Sequence, residues 1–225
     1  MAAVREACGA DALCAARQIV AASGGQVRLE PVTHPGTDTI RWAETAPSVT
    51  AVRADPDGRR WIVLDGFGRK AVPEMVEAMA GAAEGPVSLD LRGNAGGDFG
   101  RMLKVASLFT DDVKDALFVI DKLERTPVSL RGDSGPMPRD LVVLVGPGTA
   151  SSAEVLAALL QRYAGARLAG SRTAGKDHLT RVIAVDHDWR LLVPAERIEV
   201  PGVDLANGLE PAEGLPADLP PEWPS

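Results

Sequence analysis

The sequence predicts an α/β fold, because two apolar segments are each followed by a Gly-rich turn and then by apolar residues at helical spacing. Leu141–Val145 is a run of branched apolar residues, typical of a strand buried on both faces. It precedes the turn Gly146–Thr149 and a predicted helix over Ser152–Tyr163. The strand predicted at Val87–Leu91 likewise precedes a Gly-rich turn and a predicted helix over Phe99–Leu108. Strands that alternate with helices indicate the α/β class.

The other elements follow from the same periodicities. These are a helix over 4–22, a hairpin of strands 49–52 and 61–64, a helix over 73–82, and strands at 118–120, 181–185 and 189–193. We expect irregular chain over 26–50, a surface loop at 131–136 and a loose tail at 216–225. The domain prediction is an N-terminal helical extension over 1–45 and one compact core over 46–225.

Composition narrows the function classes. Of the 225 residues, 45% are hydrophobic, which is enough to bury a proper core. The net charge of −7 argues against a nucleic-acid or anionic-membrane partner. The chain has no apolar stretch of about 18 residues, so we expect no membrane span.

Ser151 is the candidate nucleophile. It lies at the turn between a predicted strand and a predicted helix, where free backbone N–H groups and the helix dipole favour developing negative charge. The N–H of Ser152 and the turn containing Gly96 and Gly97 are candidate halves of an oxyanion hole. Taken singly these features have ordinary explanations, since a serine at a helix start is most often only an N-cap.

Lys176, in the later pair Gly175-Lys176, is the candidate base. A lysine activates a serine only when its amine is neutral near pH 7, which requires a pKa well below the usual value. Burial in an apolar site lowers a lysine pKa in this way, and Ser-Lys pairs do serve as hydrolytic dyads. The alternative is a turn with a solvated charge.

Three ordered segments resemble motifs of the carboxyl-terminal processing proteases, also called tail-specific proteases, which form peptidase family S41. Residues 89–97, LDLRGNAGG, resemble the "DLRxNxGG" segment. Residues 148–154, GTASSAE, resemble the "GSASASE" nucleophile segment, and residues 169–176, AGSRTAGK, resemble "GxxTxGK". The end of the chain is also similar to the family. Residues 191–195, LLVPA, followed by residues 207–211, NGLEP, resemble the family's closing strand and its "GxxPD" segment.

The resemblance implies a ClpP/crotonase-like core that cleaves proteins or peptides near apolar C-terminal segments. It selects Ser151 rather than Ser152 as nucleophile, and it implies an acyl-enzyme on Ser151 with Lys176 as base. Gly96, Gly97 and Ser152 would hold the oxyanion. No metal, nucleotide or organic cofactor is expected.

Some positions depart from the family pattern. Many members have Gln or Glu four residues after the lysine to orient its amine, and here Thr180 takes that place as a shorter support. The stretch between Trp42 and Trp61 is too short for the family's PDZ domain, so we expect substrate capture to work differently. A catalytically weakened core that binds peptides or acts as a scaffold is therefore the alternative function. An acyl-CoA enzyme on this fold is a weaker alternative, because no nucleotide pocket is suggested.

Two neighbours of Lys176 also bear on the base. His178, two residues after Lys176, could replace the lysine in that role, whereas neither His34 nor His187 has a spacing that suggests catalysis. Asp177, if close to the amine, would raise the lysine pKa and oppose a neutral base.

The two cysteines bear on the compartment. Cys8 and Cys14 would close a small disulfide loop if Gly9 breaks the helix, and the alternative is two small buried apolar side chains. A disulfide would favour an oxidising compartment. We expect the bacterial periplasm or envelope, with a signal peptide removed before Met1, rather than the cytoplasm.

Overall fold

The computed structural model describes residues 7–8, 10–24, 27–32, 46–80, 85–132, 138–212 and 214. In chain order its elements are α1 (Ala12–Ala22), β1 (Arg28–Pro31), β2 (Val49–Ala54), β3 (Arg60–Leu64), α2 (Ala71–Met79), β4 (Pro86–Asp90), α3 (Phe99–Ser107), β5 (Val113–Ile120), β6 (Arg125–Leu130), β7 (Asp140–Val145), α4 (Ser152–Tyr163), β8 (Arg167–Gly170), β9 (His178–Ala184) and β10 (Trp189–Glu199). No helix in these ranges is long and apolar enough to cross a membrane. The mixed α/β architecture agrees with the predicted fold class.

The chain divides into two compact units. One contains Met1–Trp42 and His178–Arg197, and the other contains Ala43–Asp177 and Ile198–Ser225. The sequence predicted a boundary at 45/46, but it assigned residues 178–197 to the core. They join the smaller unit because β9 and β10 pair with each other and β10 pairs with β1.

The larger unit is organised around a five-stranded sheet in the order β2-β3-β4-β7-β8. Only β2 and β3 are antiparallel, as the predicted hairpin requires, and the other neighbours are parallel. In the central strands β4 and β7 every residue after the first is buried, which accounts for the continuous apolar run of β7. The carboxyl ends of the four parallel strands lie at one edge of this sheet, where the turns predicted to be functional begin.

The helices of this unit begin where the sequence predicted, within two residues. Asp98 caps α3 by accepting the Arg101 N–H at 2.7 Å. The first nine residues of α4 are all buried, so this helix has no solvent face along most of its length. The candidate nucleophile Ser151 thus precedes a helix that is packed on all sides.

The β5–β6 hairpin was only partly predicted. The sequence predicts one short strand at 118–120, whereas the structure has two paired strands. Charged residues at exposed positions of both strands interrupt the apolar pattern. The turn is closed by Asp121, whose carboxylate accepts the N–H groups of Leu123 and Glu124 at 2.7 and 2.8 Å.

The smaller unit contains α1 and the antiparallel strands β1, β9 and β10. The prediction of irregular chain over 26–50 was wrong at β1, where Arg28 pairs with Leu192. Among the described residues, the predicted helix over 4–22 appears as helical residues 7–8 and then as α1 from Ala12, where Asp11 caps the helix by accepting the Cys14 N–H at 2.9 Å. Residues 1–6, 33–45, 133–137 and the predicted tail at 216–225 lie outside the described residues.

Candidate active site

Ser151 has a strained backbone at the turn between β7 and α4. Its φ of 55° and ψ of −124° lie in a region that side chains other than glycine rarely adopt. Such a conformation costs about 1–3 kcal/mol and persists only where surrounding contacts hold it in place. A strained serine at a sharp strand-to-helix turn is also the geometry of the nucleophile elbow, which exposes the hydroxyl above the sheet.

The Gly-rich turn after β4 packs directly against this serine. A Cβ on Gly96 would lie 3.0 Å from both the Ala150 carbonyl oxygen and the Ser151 Cβ, and Gly96 has a φ of 108°. Only glycine fits here, for reasons of space and of backbone conformation. Ala150 in turn donates its N–H to the Asn94 carbonyl at 3.0 Å. The two turns therefore form one continuous structure.

Asn94 fixes the shape of that turn from a fully buried position. Its Oδ1 accepts the Gly96 N–H at 2.9 Å, and its Nδ2 donates to the Leu64 carbonyl at 2.8 Å. The Gly96 N–H is thus already used within the protein. Three N–H donors were predicted for the oxyanion hole. The Gly96 N–H binds Asn94 instead, and Gly96 packs against the Ser151 turn.

The other two predicted donors, Gly97 and Ser152, are neighbours. The Ser152 hydroxyl donates to the Gly97 carbonyl at 3.0 Å, which ties the start of α4 to the glycine turn. The Ser152 N–H belongs to the first position of α4, where a helix supplies no acceptor of its own. Gly97 has a φ of 139°, and a Cβ there would meet the Phe67 backbone N at 3.0 Å.

A buried carboxylate joins the nucleophile turn to the lysine loop. Glu154 is fully buried, and its Oε2 accepts the N–H groups of Ser151 at 2.9 Å and Lys176 at 2.8 Å. Its Oε1 accepts the Gly175 N–H at 2.7 Å and the Thr173 hydroxyl. Four donors on one carboxylate satisfy a buried charge and fix both segments at once.

The lysine loop is held by further backbone contacts. Ala174 donates its N–H to the Thr149 carbonyl at 3.0 Å, beside the nucleophile turn. Gly175 has a φ of 76°, and a Cβ there would lie 2.8 Å from the Ala206 carbonyl. The backbone of Lys176 is therefore fixed next to the nucleophile turn, whereas its side chain is exposed.

The remaining predicted residues lie elsewhere. Thr180 and His178 belong to β9 in the smaller unit, opposite Pro194 and Arg197, and both are exposed. Asp177 is buried, and its backbone carbonyl accepts the Ile198 N–H at 2.7 Å. Cys8 and Cys14 are joined by a disulfide with Cα atoms 5.6 Å apart.

Sequence reasoning missed the roles of Glu154, Thr173 and Asn94. Glu154 follows Ser151 by three residues, which is the Ser-x-x-Glu spacing of a capping box, and that signal could have identified the first of its contacts. Nothing local indicates the contacts to 173–176, because they depend on how the chain returns after β8.

The chain is similar to known proteins in sequence and in fold. The model of the family described as Peptidase family S41 matches residues 61–212. Carboxyl-terminal-processing peptidase 3 of Arabidopsis thaliana chloroplasts is 29% identical over 195 residues, covering 79% of this chain and 38% of that protein. Carboxy-terminal processing protease CtpA of Bacillus subtilis (strain 168) is 33% identical over 119 residues, or 51% of this chain and 25% of that protein.

A solved protease structure is similar to this chain in fold. The photosystem II D1 C-terminal processing protease has a TM-score of 0.60 at 26% identity, covering 86% of this chain and 50% of the other. The chain thus spans about two fifths or less of those two curated relatives and half of this solved one. The predicted protease fold is confirmed. Because the family model matches most of the chain, the chain belongs to peptidase family S41.

Proposed function

We propose that the chain is a serine endopeptidase in which Ser151 is the nucleophile and Lys176 is the general base. The N–H groups of Ser152 and Gly97 would stabilise the oxyanion. The observation that carries the proposal is the strained backbone of Ser151, tied through the buried Glu154 to the loop of Lys176. A protein that holds a serine in a costly conformation beside a fixed lysine loop is organised for nucleophilic attack.

The proposed reaction has two halves. The neutral amine of Lys176 takes the Ser151 proton as Oγ bonds to the substrate carbonyl carbon, and the resulting oxyanion accepts two backbone N–H groups. The C–N bond then breaks, and Lys176 returns the proton to the leaving amine, which leaves an acyl-enzyme. A water that gives its proton to Lys176 attacks the ester, and Ser151 recovers a proton as the acid product leaves.

In this mechanism the bound substrate removes water from the Lys176 amine. The side chain is exposed in the unliganded protein, whereas a neutral amine needs an apolar surrounding. A peptide lying over the site would exclude water from both the amine and the oxyanion donors.

The proposed substrates are proteins or peptides cut near apolar C-terminal segments. The support is that the relatives reported above are all named as C-terminal processing enzymes. We also propose the bacterial periplasm or envelope as the compartment. The Cys8–Cys14 disulfide supports it, since such bonds persist in oxidising surroundings.

A second candidate function is a peptide-binding or scaffold module with weakened catalysis. The exposed side chain of Lys176 and the threonine at position 180 favour it. Such a module would keep the peptide site while losing efficient proton transfer.

One experiment separates these functions. A fluorogenic peptide with an apolar C-terminus, and an unfolded protein with such an end, are incubated with the parent chain and with Ser151→Ala, Lys176→Ala and Lys104→Ala. Lys104 is an exposed lysine on α3 and serves as the matched control. Removing either dyad member should lower kcat/KM by at least about 10³-fold, with Lys104→Ala unchanged.

The other outcomes are equally informative. A fluorophosphonate that labels Ser151 only when Lys176 is present would support the acyl-enzyme route. Activity that survives Lys176→Ala but not Ser151→Ala would reject Lys176 as base and direct attention to His178. A parent chain that binds both substrates and cleaves neither would favour the binding module.

A further inference from the structure

An open cavity of about 470 Å³ lies at the carboxyl ends of four neighbouring parallel strands. Its lining includes Val63 of β3, Asp90 of β4, Val145 of β7 and Gly170 of β8. Crevices at this edge of a parallel sheet are where open α/β folds bind ligands, and the volume is within the range of small-molecule pockets. The residues proposed for catalysis are not among its lining, so the mechanism leaves this cavity unexplained.

The cavity is within a few peptide residues of the proposed nucleophile. Gly146 lines it, and the Gly146 carbonyl accepts the Thr149 N–H at 2.9 Å, two residues before Ser151. A chain advances at most about 3.6 Å per residue, so the Gly146 oxygen lies within about 10 Å of the Ser151 nitrogen. An extended substrate advances about 3.3 Å per residue, so a side chain two to four residues from the cut reaches this distance.

A second chain segment, after β3, also connects the cavity to the proposed site. Asp65 lines the cavity two residues before Phe67, which packs against Gly97 of the proposed oxyanion hole. The segment from Asp65 to Phe67 therefore connects the cavity to the catalytic turn from the β3 side.

The two carboxylates that line the cavity have different partners. Asp90 is paired with Arg92, since its carboxylate accepts Nε at 3.0 Å and Nη2 at 2.7 Å. Asp65 instead accepts a neutral donor, the Thr50 hydroxyl at 2.7 Å, and has no cationic partner among the residues that the structure describes. Gly93 leaves one side of that carboxylate uncovered. The lining thus presents one unpaired negative charge.

We propose that this cavity is a substrate subsite for a lysine or arginine side chain. The cation pairs with Asp65, and the aliphatic stem lies against Val63 and Pro147. Long basic side chains favour such surroundings, because they bury the stem and keep the charged end near water. This inference rests on the proposed peptidase function and extends it, since it assigns the chain a basic residue close to the scissile bond of its substrates.

Binding to the Ser151→Ala chain tests the subsite without catalysis. The probes are N-acetylated fluorescent peptides that carry lysine, norleucine or glutamate at each position from four before to four after the expected cut. Norleucine matches the lysine stem without its charge, and acetylation removes the α-amine as a competing cation. At one position the lysine peptide should bind about three- to tenfold more tightly than its norleucine partner at low salt.

Variants at Asp65 decide the assignment. Asp65→Asn should abolish the lysine preference while leaving norleucine binding intact, and Asp65→Lys should turn it into a preference for glutamate. Glu77→Gln removes the same charge from the exposed face of α2 and should change nothing. Circular dichroism and a melting curve establish that each variant is folded.

The inference and the proposed function fail in different ways. Equal binding of lysine and norleucine peptides at every position, a preference that survives Asp65→Asn, or no peptide binding at all overturns the subsite. Ser151-dependent cleavage of the norleucine peptide in that case leaves the peptidase function standing. A preference that depends on Asp65, without cleavage by the parent chain, supports the subsite and counts against the catalytic proposal.

Discussion

Replacing Glu154 with glutamine should both destabilise the protein and disable the site. The carboxylate accepts four hydrogen bonds, two on each oxygen. Glutamine has nearly the same shape, but one oxygen becomes an NH₂ group that can only donate. Whichever way the amide turns, two of the four donors lose their acceptor in a fully buried place.

The magnitude follows from those contacts. Hydrogen bonds to a charged acceptor contribute about 1.5–3 kcal/mol each, so losing two should cost at least about 3 kcal/mol. For a chain of this size that loss corresponds to a melting temperature lower by about 6–12 °C. One orientation of the amide deprives the N–H groups of the proposed catalytic residues Ser151 and Lys176, and the other deprives Gly175 and Thr173 of the lysine loop, so either orientation disturbs the site. A shift of about 1 Å in reacting groups costs about 100-fold in rate, so kcat should fall by at least that factor.

Urea unfolding followed by circular dichroism, and kcat measured on the peptide substrate below the melting transition, check the two effects separately. Glu77→Gln, the same chemical change at an exposed position, should stay within about 0.5 kcal/mol of the parent. An E154Q protein within about 1 kcal/mol of the parent in stability, with kcat reduced less than threefold, would refute the role given to this carboxylate.

Two further substitutions probe the packing and the surface charges. Gly96→Ala forces a Cβ to within 3.0 Å of the Ser151 Cβ and should lower kcat by about 100-fold. The control, Gly58→Ala, is also at positive φ but has open space around it, so it should lower stability without loss of activity. Melting curves and kcat measure the two effects. The hydrogen bond from Arg59 holds the pKa of Asp140 below its ordinary value, so this carboxylate stabilises the fold at neutral pH and loses that contribution as pH falls below about 4 through the lowered pKa. Asp140→Asn should therefore flatten the acid limb of stability measured by urea unfolding, by less than about 1 kcal/mol because the pair is partly exposed.

The elements near the site were predictable because local pattern and tertiary environment agree there. The strand ending at Val145 is buried on both faces, so its apolar run is continuous, and the helix beginning at Ser152 follows at once. The position of Ser151 between them is fixed by the chain itself. The same reasoning located the glycine turn of 96–97.

The hydrogen-bond partners of the polar groups in the site could not be predicted from the sequence. The Gly96 N–H is a plausible oxyanion donor until the buried Asn94 side chain is known to accept it. Glu154 likewise reads as an ordinary helix residue, because its partners at 173–176 meet it only after the chain has passed through β8. Hydrogen bonds between distant segments have no local signature.

The smaller unit was harder for a related reason. Strand β1 contains Arg28, Glu30 and Pro31 in four residues, and its pairing partner lies more than 150 residues later. A strand with so few apolar residues is stabilised by its pairing rather than by its own composition, so the pattern predicted irregular chain. The strands at 181–185 and 189–193 were predictable from their own pattern, whereas their pairing with β1 depends on contacts between distant segments.

The contrast in burial between Glu154 and Lys176 implies a division of labour in the proposed mechanism. The buried carboxylate of Glu154 is tolerable in the interior because four fixed donors bind it, and that network positions the backbone before substrate arrives. The general base has the opposite requirement, because it must change its charge during each half of the reaction. An exposed lysine on a rigid backbone meets that requirement if the peptide itself supplies the apolar cover. Catalytic power would then depend on how well a substrate fills the site, and a subsite at Asp65 would act on kcat as well as on binding.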